Sequence, residues 1–172
     1  MTDEDSTHDR REGARFGEEY PRSDEMQVAM FIVFLLLWIL DSFFLRSTTF
    51  LAAYIPLPVR LFFAGASIVS GLYLINESHK LVIDEVRDEP ALEDSGVYSR
   101  VRHPMYLGML LTYLGLISST MSVVSFGLWL GVFVAYDKFA AYEEQDLTRL
   151  LGEEYVDYKR RVPRWVPRRL SD

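Results

Sequence analysis

The chain has 172 residues, no cysteine and a formal net charge of −7. That length supports one domain with room for an unstructured end. The missing thiols exclude disulfides, thiolate catalysis and cysteine metal sites, and three scattered histidines, at 8, 79 and 103, offer no histidine-rich metal site.

Residues 1–25 hold nine Asp and Glu against four Arg and contain no apolar core. Such a segment cannot bury enough surface to order itself, so a solvated acidic arm is expected, and no cleavable leader. From Met26 to Leu45 only Gln27, Asp41 and Ser42 are clearly polar, and about 20 apolar residues suffice to cross a hydrocarbon core of about 30 Å. A carboxylate at position 41 is costly in such a span, and a structural role near its outer end is favoured over a functional one. The turn Ile55-Pro56-Leu57-Pro58 leads into a second span over 59–75, with the small residues Gly65, Ala66, Ser67, Ser70 and Gly71 permitting close helix packing.

The loop 76–104 is long and charged and contains Pro90, and Leu81-Val82-Ile83 within it reads as a short strand or interfacial turn. A third span is expected over 105–117 and a fourth over 123–141, joined by the short break Ser118–Ser122 as a tight antiparallel hairpin. Beyond them, Leu147, Leu150, Leu151 and Tyr155 recur at helical spacing, so Glu143–Tyr158 reads as an amphipathic helix weakened at Gly152. Glu153 and Glu154 read as its solvated face, pairing with Arg149 and Lys159. Pro163 and Pro167 forbid regular helix, which predicts an extended tail that folds back as a cap, so that helix and tail together form a capping segment over 142–169.

The fold class is therefore all-α, a polytopic membrane domain over 26–172 behind the arm 1–25. Apart from Arg46 and Arg60, the Lys and Arg residues fall on the side of the termini and the 76–104 loop, which predicts both termini cytoplasmic. The basic run Lys159, Arg160, Arg161, Arg164, Arg168 and Arg169 fits contact with anionic headgroups as well as it fits a topology signal. The composition, with fifteen Arg to three Lys and a pI near 5.0, leans toward a salt-adapted prokaryote.

The chemistry concentrates in two blocks. Ser95-Gly96-Val97-Tyr98 precedes Arg102-His103-Pro104-Met105-Tyr106-Leu107-Gly108. Pro104 suits the first turn of a helix, whose free N–H groups and dipole attract a carboxylate or phosphate. Arg102 adds a forked donor, and His103 can donate or accept. Taken singly, Arg102 reads as a snorkelling residue and Tyr106 as part of an aromatic belt; together with the Ser95–Tyr98 stretch they read as a binding site. The acidic pair Glu143-Glu144, just past the fourth span, could hold a cationic amine or form a solvated face.

These blocks resemble the isoprenylcysteine carboxyl methyltransferase family of membrane enzymes. The likeness covers roughly 92–167, through Ser95–Gly108 and then Glu143, Glu144 and Gly152–Pro163. It implies a cytosol-facing pocket for S-adenosylmethionine, closed by the C-terminal tail. His103, Tyr106 and Glu144 would contact the cofactor, with Tyr98, Val101, Arg102, Pro104, Leu107, Gly108 and Glu143 around it. Arg161, Tyr158 and Glu144 would be the catalytic residues, with Arg161 and Tyr158 facing the methyl acceptor. It further implies a lipophilic acceptor, such as an isoprenoid-type or prenylcysteine-like carboxylate, the product S-adenosylhomocysteine, no metal and no nucleic acid. The alternatives are a phospholipid amine acceptor, an NADPH-dependent sterol-type reductase sharing the Arg-His-Pro-x-Tyr-x-Gly block, and a non-enzymatic scaffold.

Overall fold

A computed structural model describes residues 23–84 and 92–166 of the chain. The regular structure of these residues is helical throughout. Helix α1 spans Ser23–Ile39 and passes into a π-helical turn over Leu40–Leu45, followed by a short 3-10 turn over Phe50–Ala53. Helices α2 (Leu57–Asp84), α3 (Pro104–Thr120), α4 (Val123–Leu151) and α5 (Glu153–Arg161) complete the order.

Several expected boundaries move. Residues 1–22 of the acidic arm and the tail from 167 onward, with Arg168 and Arg169, lie outside the described residues, while residues 23–25 already belong to α1. Leu81-Val82-Ile83 is neither strand nor turn; α2 runs through it to Asp84. No helix breaker stands before Pro90, and Lys80 pairs with Glu77 at 2.8 Å along the helix, the i,i+3 spacing that supports a turn. The expected break at 118–122 narrows to Met121 and Ser122, because Ser118 and Ser119 return their hydroxyls to the carbonyls of Leu114 and Leu116, both at 2.7 Å. Three helical stretches among the described residues are long and apolar enough to cross a membrane, Glu25–Leu45, Leu57–Lys80 and Val123–Leu151. The segment expected as the third of four spans forms the 17-residue helix α3, about 26 Å long at 1.5 Å per residue.

The described residues divide into two compact units. The membrane unit, Asp24–Asn76 and Met105–Tyr136, turns large apolar side chains outward: Phe44, Phe62 and Val69 are 75%, 70% and 68% exposed. In water that would be a sticky surface; against lipid tails it costs nothing. Its cohesion comes from close packing and internal hydrogen bonds. A Cβ on Gly71 would sit 2.5 Å from the Gly108 carbonyl oxygen, and one on Gly115 2.9 Å from that of Ala64, so α2 and α3 touch backbone to backbone. Phe34 meets Tyr113 edge-on at 4.6 Å, and Trp38 donates to the Leu116 carbonyl at 3.1 Å. Trp129 on α4 donates to the Leu110 carbonyl on α3 at 3.0 Å, and Tyr136 lies against Tyr106 at 5.2 Å, so these helices run antiparallel.

Asp41 is buried in this unit with its carboxylate fully engaged. It accepts from the Thr48 amide at 3.1 Å, from the Thr48 hydroxyl, and from Ser122 at 2.6 Å. These bonds tie the end of α1 to the start of α4, the structural role expected for this residue.

The second unit takes Ser23, 77–84, 92–104 and 137–166 among the described residues. Its core is Tyr155, Tyr158 and Val162, packed by Leu92, Leu147 and Leu151. Gly152 ends α4: its φ of 58° is open to glycine at little cost, and the chain restarts there as α5. The amphipathic stretch is thus a continuation of α4 followed by a separate helix.

Candidate active site: a buried carboxylate ringed by cations

Pro104 opens α3 at a position where its missing N–H leaves no bond unmade. Arg102 and His103 stand just before it, and the Arg102 amide donates to the Pro163 carbonyl at 3.0 Å, which straps the tail onto this turn. On α4, Asp137 and Glu144 are seven residues apart, two turns, and so share a face. Glu143 and Glu144 meet the Arg102–His103 turn.

Glu144 is the centre. It is 1% exposed, and a carboxylate taken from water at that depth costs several kcal/mol unless paired. Four cationic side chains pair it. His103 Nε2 lies 3.2 Å from Oε1, Arg102 Nε 3.4 Å from the same oxygen, and Lys159 Nζ 3.5 Å from Oε2. Arg164 grips both oxygens, Nε to Oε1 at 2.9 Å and Nη2 to Oε2 at 2.8 Å. Its Nη1 reaches Asp137 Oδ1 at 2.8 Å, an oxygen that also accepts from the Trp165 indole at 2.8 Å.

His103 stands between two acids, its Nδ1 3.5 Å from Glu143 Oε2. Burial alone would favour the neutral ring, but hydrogen bonds to Glu143 and Glu144 outweigh it and raise the pKa above the usual histidine value. Burial pushes the Tyr98 phenol up to about 12, despite a hydrogen bond with Ser78, and likewise raises Tyr155 and Tyr158.

Of the residues anticipated from sequence, Tyr98, Val101, Arg102, His103, Pro104, Glu143, Glu144 and Tyr158 all lie in this second unit. Val101 is 1% exposed and serves as packing. Tyr158 spends its hydroxyl on the Tyr98 carbonyl at 2.7 Å. Arg161 is not among the partners of Glu144; its side chain is 63% exposed, 3.5 Å from Asp94. Tyr106, Leu107 and Gly108 belong to the membrane unit, where Gly108 serves helix packing against Gly71. Glu153 and Glu154 are exposed as expected, but the pairings differ: Arg149 bonds Asp146 at 3.2 Å, and Lys159 turns to Glu144.

Sequence reasoning missed Asp137, Lys159, Arg164 and Trp165. The seven-residue spacing from Asp137 to Glu144 was the available signal for the first. For Arg164 and Trp165 it was their place directly after Pro163, where an extended tail must return to the protein.

Residues 57–154, more than half of the chain, match the profile of the phospholipid methyltransferase family. The chain belongs to the phospholipid methyltransferase family. Relatives within reach of it include Protein-S-isoprenylcysteine O-methyltransferase B of Arabidopsis thaliana, 31% identical over 107 residues, which are 60% of this chain and 48% of that protein. The human Protein-S-isoprenylcysteine O-methyltransferase is 34% identical over 90 residues, 51% of this chain and 31% of its own. Methanethiol S-methyltransferase 2 of Bradyrhizobium diazoefficiens is 41% identical over 73 residues, 42% and 27% of the two chains. The matched stretch spans less than half the length of each of these relatives. They bear out the resemblance drawn from the two sequence blocks. The family match ends at residue 154, so all but the first two residues of α5, and the Arg164–Trp165 strap, lie beyond it.

Proposed function

We propose that this chain is an integral-membrane methyltransferase that uses S-adenosylmethionine to methylate a lipophilic acceptor, in the manner of the isoprenylcysteine O-methyltransferases it is similar to. The observation carrying this reading is the Glu144 cluster, which gathers acidic and cationic groups around one buried carboxylate. The amino-acid end of the cofactor has one carboxylate and one ammonium. Arg102 and Lys159 suit the first, Glu143 and Glu144 the second, so the donor set fits the group. When bound, S-adenosylmethionine supplies an electrophilic methyl on a sulfonium.

The work left to the protein is positioning and exclusion of water. Holding two reactants in line is worth roughly 7–11 kcal/mol. A carboxylate acceptor is ionised at neutral pH and needs no strong base. The high phenol pKa values of Tyr98 and Tyr158 suit them to donating hydrogen bonds, not to removing protons. Arg161, exposed and 3.5 Å from the exposed Asp94, is proposed to orient the acceptor carboxylate.

The acceptor class is proposed as an isoprenoid-type or prenylcysteine-like carboxylate. A second reading, a small thiol acceptor, is favoured by the similarity to methanethiol S-methyltransferases. Four alternating traverses are proposed, with both termini cytoplasmic. Support comes from the membrane unit, where one end gathers Asp41, Thr48 and Ser122, and Arg60 on α2 bonds the Ser119 carbonyl on α3 at 3.0 Å.

The test is calorimetric titration of S-adenosylhomocysteine, and separately of NADPH, into detergent-purified protein and its Arg102→Ala variant. Binding of the first ligand alone, weakened about tenfold or more in the variant, is expected from the loss of a charge-assisted bond. Binding of NADPH alone would replace this reading with a reductase.

A further inference from the structure

Glu144 accepts three hydrogen bonds and has two further cations within 3.5 Å. Arg164 takes both oxygens in the two-pronged geometry that a guanidinium makes with a carboxylate, at 2.9 and 2.8 Å. His103 bonds the first oxygen at 3.2 Å, and Lys159 stands 3.5 Å from the second. With Glu144 only 1% exposed, an incoming ammonium can reach it only if a resident cation leaves.

Three of the four cations sit on or beside helices: Arg102 and His103 lead into α3, and Lys159 is on α5. Arg164 differs. It stands in the irregular stretch after α5, its side chain is 25% exposed, and it has a second acid to hold. Asp137 lies 2.8 Å from Nη1 and is itself 43% exposed. Arg164 can therefore give up Glu144, keep Asp137, and turn its freed nitrogens to water. Lys159 is more exposed, at 35%, and His103 has a second acid in Glu143 but is only 8% exposed; of the four, Arg164 joins partial exposure to a second acid at hydrogen-bond distance.

We propose that Arg164 is a built-in competitor for the α-ammonium of S-adenosylmethionine at Glu144, and that residues 162–166 form a strap displaced from Glu144 when the cofactor binds. The proposal rests on the methyltransferase reading. The exchange is charge for charge, so the net charge around the buried carboxylate is unchanged while Arg102, His103 and Lys159 stay in place. It also couples the strap to the site through the Arg102 amide, which donates to the Pro163 carbonyl at 3.0 Å.

The experiment titrates S-adenosylhomocysteine into wild type, Arg164→Lys and Arg164→Ala. Lysine keeps the charge but loses the fork. Affinity is expected to rise from wild type through lysine to alanine, by on the order of tenfold overall, the factor for a blocked state holding about nine-tenths of the population. In wild type the same ligand is expected to speed amide exchange in a peptide containing Arg102. Unchanged affinity across the series, or affinity falling in that order, would overturn the proposal, the latter making Arg164 a cofactor ligand. Should Arg164→Ala fail to fold, the lysine variant and the exchange measurement decide by the same signs. If none of the three binds while all melt cooperatively, the methyltransferase reading fails and the strap proposal falls with it.

Discussion

His103 holds its place through two carboxylates, one at each ring nitrogen. Its pKa is raised in the fold, so the folded chain binds this proton more tightly than the unfolded one, where the value is near 6.5. The sign follows from linkage: the stabilisation is complete below about pH 6.5 and is lost as pH rises through the folded value. Melting temperatures of wild type and His103→Gln should differ most at the acidic end and converge as pH rises; a gap independent of pH would show that the ring acts by packing alone. Glu144 should be the more sensitive position. Glu144→Gln leaves Arg102, Lys159, Arg164 and the His103 ring around a neutral amide, and breaking a buried charge cluster in this way costs about 3–5 kcal/mol. Glu143, 16% exposed where Glu144 is 2%, should cost less when changed to Gln. Equal losses in chemical or thermal unfolding would contradict the assignment of Glu144 as the centre.

At the scale of elements, the spans and the two blocks were legible because they rest on local signals: unbroken apolar runs, a proline fit for a helix start, and an acidic pair after the last run. What the sequence hid depends on partners far along the chain. Nothing local says that Arg164 bonds a residue twenty positions earlier, or that Gly108 meets Gly71 rather than a ligand. Helix ends were also misjudged where side chains satisfy them internally, as Ser118 and Ser119 do in carrying α3 to Thr120. The glycines sort accordingly. A side chain at Gly71 would meet the Gly108 backbone oxygen at 2.5 Å, whereas one at Gly127 or Gly131 would meet nothing within 4 Å. Gly71→Val should therefore cost about 1–3 kcal/mol or more as the two backbones are pushed apart. Gly127→Ala and Gly131→Ala should be neutral or stabilising by up to about 1 kcal/mol through helix propensity. A detergent melting series showing no difference between the two groups would mean that α2 and α3 do not pack at this distance.

For the whole molecule the open matter is how many times the chain crosses the bilayer. Among the described residues three helical stretches pass on length and apolarity, and α3, with 17 residues, is a turn or so short of a hydrocarbon core. Parity separates the two arrangements. If α3 crosses, the loop after α1 and the start of α5 face opposite sides; if it does not, they share a side. The packing within the membrane unit favours crossing, since α3 ends beside the loop that follows α1: Ser42 on the turn after α1 bonds Thr120 at 2.9 Å, and the Val123 amide bonds the Thr48 carbonyl at 3.2 Å. A chain without cysteine is suited to a direct reading of this. Ser47 and Glu153 are both exposed, so single Ser47→Cys and Glu153→Cys variants can be labelled with a membrane-impermeant maleimide in intact cells and again after lysis. The charge distribution predicts that the first reacts in intact cells and the second only after lysis. Labelling of both from outside would leave α3 as a helix that enters the membrane without crossing it. Labelling of Glu153→Cys alone would keep four traverses and reverse the orientation.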